Sequence, residues 1–84
     1  MNIKWSKNAV QQLLEAIRYI EENGFNSYAE ELEKDILFKV RNIPQNPEIY
    51  PLDKYKKNNN GNYHAFEIDS YRISYKTEKE AIKV

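Results

Sequence analysis

The sequence predicts an α+β domain in which one short N-terminal strand, an antiparallel pair of helices and a three-stranded antiparallel meander share one sheet, in the order β-α-α-β-β-β. Three observations predict it. Residues 62–76, NYHAFEIDSYRISYK, alternate in the manner of a β-hairpin. Two stretches with apolar residues three and four apart precede it, joined by a break too brief for anything but a helical hairpin. Asn2-Ile3-Lys4-Trp5 alternates at the very start.

Ser6 follows that first strand and is a good N-cap, because its hydroxyl can accept from a free backbone N–H. Val10, Leu13, Leu14, Ile17 and Ile20 then form the apolar stripe of the first helix, with Glu15, Arg18, Glu21 and Glu22 mostly elsewhere. Asn23-Gly24 closes it, since glycine accepts the left-handed conformation. Ser27 with Glu30 fits a capping box at the start of the second helix, whose buried stripe is Ala29, Leu32, Ile36, Val40 and Ile43. Pro44 stops this helix near Asn42 or Ile43. Pro44, Pro47 and Pro51 punctuate a connection over residues 44–61 that composition marks as the least ordered part of the chain.

The strands are read as Tyr63 to Ile68, Tyr71 to Lys76 and Ala81 to Val84, with Thr77-Glu78-Lys79-Glu80 as the last turn. A tight turn at Asp69-Ser70 pairs Phe66 with Ile73 and His64 with Tyr75 on an apolar face. The opposite face pairs Glu67 with Arg72 and points Arg72 toward solvent. Ile82-Lys83-Val84 reads as a short, apolar open edge, the kind natural sheets extend or cover, and suggests truncation relative to a longer relative.

Eighty-four residues make one domain, 1–84, with a thin core. Without cysteine, neither disulfides nor thiolate metal sites reinforce it, which fits a cytoplasmic protein. No apolar run approaches the about 20 residues needed to cross a bilayer, so no membrane partner is expected. One histidine and scattered carboxylates offer no metal-ligand spacing, and no cofactor is implied. Thirteen cations balance thirteen anions, six against seven in residues 1–43 and seven against six in residues 44–84, which argues against a strongly basic nucleic-acid surface. The candidate basic patch is local: Lys54, Lys56 and Lys57, ahead of Asn58-Asn59-Asn60-Gly61. As a phosphate grip it competes with a reading as a solvated loop.

Cleavage of RNA by a 2′-hydroxyl needs a base, an acid and a cation near the phosphorane. Arg72 is the candidate cation, with Arg72, Lys54, Lys56 and Lys57 as target or nucleic-acid contacts. His64, the only histidine, is the candidate acid or base by type, although the register sets it on the face away from Arg72. Glu48, Asp53 and Glu67 are candidate bases, read equally well as solvated loop carboxylates and, for Glu67, as the cross-strand partner of Arg72. Tyr63, Tyr71 and Tyr75 read as sheet residues that bury their rings, ahead of the alternative reading as base-stacking platforms.

The element order resembles the RelE/ParE family of toxins from bacterial type II toxin-antitoxin systems, over essentially the whole chain. Three local motifs carry the resemblance in order: Ile3-Lys4-Trp5-Ser6, the helix ending in Pro44-Gln45-Asn46-Pro47, and Tyr71-Arg72-Ile73-Ser74-Tyr75. The resemblance implies a plasmid-stabilisation type toxin that inhibits growth by acting on translation or on DNA gyrase and is neutralised by a cognate antitoxin. In the ribosome-dependent mRNA endoribonuclease branch it maps a functional arginine onto Arg72. Such relatives carry basic residues on the preceding strand, where this chain has His64 and Phe66, and a His-, Arg- and Lys-rich segment after the last strand, where this chain stops at Val84. The gyrase-poisoning branch requires no RNA chemistry. A catalytically inactive relative that only binds an antitoxin is the alternative from another class. Ile82 and Val84, at the expected open edge, are the candidate antitoxin contacts.

Overall fold

A computed structural model describes residues 2–57 and 59–84. Its elements are β1 (Asn2–Lys4), α1 (Lys7–Glu22), α2 (Asn26–Arg41), a 3-10 turn (Ile43–Gln45), β2 (Tyr63–Ile68), β3 (Tyr71–Glu78) and β4 (Ala81–Lys83). The expected order β-α-α-β-β-β is observed, and the four strands form one sheet in the order β1-β4-β3-β2. The sheet is mixed: the meander is antiparallel, while β1 runs parallel to β4.

Local sequence sets the ends of the helices. Ser6 Oγ accepts from the Ala9 N–H at 3.0 Å, the expected N-cap of α1. At the other end the Gly24 N–H donates to the Glu21 carbonyl and the Phe25 N–H to the Ile20 carbonyl, with Gly24 at φ +85°. This Schellman closure satisfies two end carbonyls and requires the left-handed residue that glycine supplies. It also corrects the start of α2. Phe25, without a side-chain bond, is the N-cap, and Ser27 lies inside the first turn instead of forming a capping box with Glu30. The linker is so short that α2 begins as soon as the closure of α1 is complete.

Ala29, Leu32, Ile36, Val40 and Ile43, the expected stripe of α2, are all buried. With Ile17, Ile20, Phe66, Tyr75 and Ile82 they make the core between the helices and one face of the sheet. The expected stripe of α1 is covered only in its second half. Ile17 and Ile20 are buried and Leu13 is partly covered, but Val10 and Leu14 are exposed.

The hairpin register is the expected one, with Phe66 opposite Ile73, His64 opposite Tyr75 and Glu67 opposite Arg72. Asp69 and Ser70 both have positive φ, 48° and 75°, as a two-residue turn matching the twist of the strands requires. The Tyr28 hydroxyl donates to Asp69 Oδ2 at 2.7 Å and ties this strained turn to α2. β3 runs two residues further than expected, because Thr77 and Glu78 pair with Ile82 and Ala81.

The expected open edge on the last strand is corrected. β4 is interior to the sheet, with Ile3 beside Ile82, and the Val84 N–H donates to the Lys4 carbonyl at 2.9 Å. Ile82 is fully enclosed.

Residues 46–57, expected to be poorly ordered, wrap the free edge of β2. The Ala65 N–H donates to the Pro51 carbonyl, the Asp53 N–H donates to the Tyr63 carbonyl, and Leu52 bridges to His64. Composition gave no hint of this because the stabilising bonds are made to a strand distant in sequence. Asn58, the first residue of the asparagine run, lies outside the described residues.

Tyr75 is enclosed in the core, and its hydroxyl donates to the Pro47 carbonyl at 2.8 Å. Burial pushes its phenol up to about 12. An unfolded tyrosine ionises near pH 10, so the stability this phenol supports is complete below about pH 10 and lost as pH rises through its folded value. Alkaline unfolding of the native chain followed by circular dichroism is therefore expected to steepen above about pH 10. Tyr75→Phe should be less stable near neutrality yet lose that slope; an unchanged alkaline limb in the variant contradicts this assignment.

Candidate functional site

Alternation along β3 sends Tyr71, Ile73 and Tyr75 toward the helices and Arg72, Ser74 and Lys76 to the outer face of the sheet. The loop around the β2 edge delivers Asp53 to that outer face. Arg72 Nη2 donates to Asp53 Oδ1 at 2.7 Å, and Ser74 Oγ donates to Asp53 Oδ2 at 3.0 Å. The Tyr55 N–H completes the set by donating to Asp53 Oδ1 at 3.0 Å. Asp53 is only 3% exposed. Burial pushes its carboxyl upward, but the bonds from Arg72, the Tyr55 N–H and Ser74 outweigh burial and hold it below the usual carboxylate range.

Arg72 is held on three sides. Its Nη1 donates to Glu67 Oε1 at 3.0 Å, and its guanidinium lies 4.6 Å from the centroid of the Tyr55 ring. The Asp53 carboxylate raises the already high pKa of the guanidinium, with Glu67 adding to the effect. Arg72 lies on the exposed outer face as expected, and the loop folds back to give its side chain, 28% exposed, a buried partner.

His64 sits on the other face, as the register requires. It is buried, its ring stacks on Tyr75 with centroids 5.3 Å apart, and its Nδ1–H donates to the Tyr50 carbonyl at 2.9 Å. Its Nε2 has no hydrogen-bond partner among the described residues. The sheet therefore separates His64 from Arg72. Glu67 is exposed beside Arg72. Lys54, Lys56 and Lys57 are exposed on the loop; the Lys54 ammonium lies 5.3 Å from the Tyr55 ring and the Lys56 ammonium 4.9 Å from the Tyr63 ring. Of the two candidate antitoxin contacts, Ile82 is enclosed and Val84 lines a cleft of about 300 Å³ between α1 and the sheet, with Trp5, Leu13, Ala16 and Ile73.

Sequence reasoning gave Asp53 as a candidate base or a solvated loop carboxylate, not as the buried partner of Arg72, and missed Ser74 and Tyr55. Ser74 shares the alternating phase of Arg72, so its face was legible. Asp53 carried one local signal: an aspartate bonding the N–H two residues on makes an Asx turn. That predicts a turn, and nothing in it predicts a partner nineteen residues away.

The family described as ParE toxin of type II toxin-antitoxin system, parDE, matches residues 3–84. The chain belongs to the ParE toxin family. Curated proteins and solved structures give no match. The match reaches every strand and helix of the fold, and membership of a toxin-antitoxin family implies an antitoxin partner. No helix in the described residues is long and apolar enough to cross a membrane.

Proposed function

We propose that this ParE-family chain inhibits growth by binding DNA gyrase, without cutting mRNA, and that a cognate antitoxin neutralises it. The observation that carries this reading is the state of Arg72. A cation that stabilises a phosphorane has to be free to meet developing negative charge, whereas this guanidinium is already engaged by two carboxylates. The only imidazole lies buried on the opposite face. The Asp53 and Glu67 carboxylates reach Arg72, but the imidazole does not join them, so the acid, base and cation that in-line cleavage of RNA uses are not assembled on one face. Poisoning by binding needs none of them.

The antitoxin contact proposed is the cleft that Val84 lines. Its walls are mainly apolar, and Val10 and Leu14 continue an exposed apolar strip along α1 nearby. An amphipathic helix of the antitoxin that seats an apolar side chain between Trp5 and Ile73 fits this geometry.

The test is induction of the chain in a bacterium lacking its antitoxin, with DNA and protein synthesis followed by labelled thymidine and amino acid incorporation. Growth is expected to stop, with DNA synthesis failing first and the purified chain inhibiting gyrase supercoiling. Early failure of translation with cleaved mRNA, abolished by Arg72→Ala, overturns the gyrase reading in favour of the endoribonuclease. Unimpaired growth overturns the toxin activity itself and leaves an antitoxin-binding decoy.

A further inference from the structure

The zero net charge of the chain hides an uneven distribution between the helices and the rest of the chain. The helices hold five cations against seven anions, which leaves eight against six for the remainder. On the outer face of the sheet the cations are ordered. The register sets Lys4 of β1 beside Lys83 of β4, Lys83 beside Lys76 of β3, and Lys76 beside Tyr63 of β2. One row, with steps of about 4.8 Å between neighbouring strands, therefore crosses the whole sheet as three lysines ending on an aromatic ring. Nothing in the spacing of residues 4, 76, 83 and 63 along the chain announces this row, because it exists only after β1 joins the meander.

One detail tempers the row and a second suits it to an anionic polymer. Glu78 lies between two of its members, 3.2 Å from the Lys83 ammonium and 3.6 Å from that of Lys76. It neutralises one charge of the row while leaving Lys4 and the Lys56 ammonium above Tyr63 without that counter-ion. The Tyr63 ring is bracketed by ammonium groups, Lys56 at 4.9 Å and Lys76 at 5.6 Å from its centroid. Along the same face Tyr55 is 69% exposed and carries the Arg72 guanidinium against its ring. A basic track beside accessible aromatic rings, here exposed Tyr55 and half-buried Tyr63, is the arrangement that grips a single strand, with lysines on phosphates and rings under bases.

From this we infer that the outer face of the sheet is a sequence-tolerant binding surface for single-stranded nucleic acid, with Lys4, Lys76 and Lys83 as phosphate contacts and Tyr63 as a stacking platform. The surface binds without cleaving, and it stands or falls independently of the gyrase reading, since it concerns the affinity of the isolated chain for a strand.

The experiment is fluorescence anisotropy of labelled oligothymidylate with the full chain across a range of salt concentrations. The native chain is expected to bind at low salt. A K4Q/K76Q/K83Q variant should bind at least tenfold more weakly, and the slope of log affinity against log salt should fall by about 2, since each phosphate contact on a single strand contributes about 0.7. Tyr63→Leu should weaken binding about tenfold and leave the slope unchanged, because stacking releases no counterions. A K34Q/K39Q/R41Q variant, altered on α2, should bind as the native chain does. Circular dichroism on each variant separates lost contacts from lost folding. No binding by the native chain, or equal loss in the α2 variant, overturns the proposal. Displacement of the oligonucleotide by poly-glutamate as readily as by unlabelled oligothymidylate of matched charge also overturns it and identifies an acidic protein as the partner of this face.

Discussion

Phe66→Ala is expected to lower the unfolding free energy by about 3–4 kcal/mol, the largest effect of any single truncation considered for this chain. Phe66 is buried in the core, and its ring lies 4.6 Å from that of Tyr50, tilted by 33°. The truncation removes apolar area and leaves a cavity that the rigid sheet cannot close. It also removes the surface on which Tyr50 rests, and Tyr50 is the residue whose carbonyl accepts from His64 Nδ1–H. The loss should therefore spread to the loop at the β2 edge. A chain of this length holds about 4–12 kcal/mol in total, so a quarter or more of its stability rides on one ring. Urea unfolding of the two proteins reads the effect as a fall in midpoint with little change in slope. Leu14→Ala, at an exposed apolar position, should stay within about 0.5 kcal/mol. A cost for Phe66→Ala of less than about 1 kcal/mol would remove Phe66 from the packed core.

The second large effect comes from the other side of the sheet. Asp53→Ala deprives the Ser74 hydroxyl, the Tyr55 N–H and one edge of Arg72 of their shared acceptor. Breaking a buried pair by removing one member costs more than the pair contributes, because the remaining member keeps its desolvation cost. Here Arg72 retains Glu67 and some solvent, so the expected loss is about 2–3 kcal/mol, below that of a fully buried pair. Glu67→Ala, which removes an exposed partner, should cost less than about 1 kcal/mol.

Acid separates the Asp53 contribution from general loosening. The carboxyl of Asp53 is held below its ordinary value, so the stability it supplies is present above the unfolded value of about 3.9 and is lost as pH falls through the lower folded value. The gap between native chain and Asp53→Ala should be full near pH 7 and should shrink in the region below about pH 4. A gap that persists unchanged into strong acid would assign the loss to loop packing and not to the charge.

These two residues act on one segment from opposite faces. Tyr50 reaches the apolar side of the β2 edge and Asp53 the polar side, so residues 50–53 straddle the strand and cover most of an edge that would otherwise offer free backbone groups. The same contacts decide what Arg72 is available to do. A toxin that acts by binding presents this clasped face as a fixed surface; a ribonuclease would have to open it first.

Local chemistry in the sequence determined the elements. Ser6 and Gly24 set the ends of α1, Pro44 ended α2, and the alternation from Tyr63 to Tyr75 fixed both the hairpin register and the face on which each residue lies. Each of these depends on a residue and its near neighbours, at the range over which hydrogen-bond geometry and side-chain direction repeat. The family resemblance was legible for the same reason, since it was read from short runs on those elements, and the family match covers residues 3–84. Tertiary structure alone decided that β1 lies parallel beside β4, which encloses Ile82 and aligns Lys4, Lys83 and Lys76. It also decided that Asp53 is buried against Arg72. Both outcomes join segments nineteen to more than seventy residues apart, and no period or cap encodes them; they follow from which edges and charges remain unpaired once the local elements have formed.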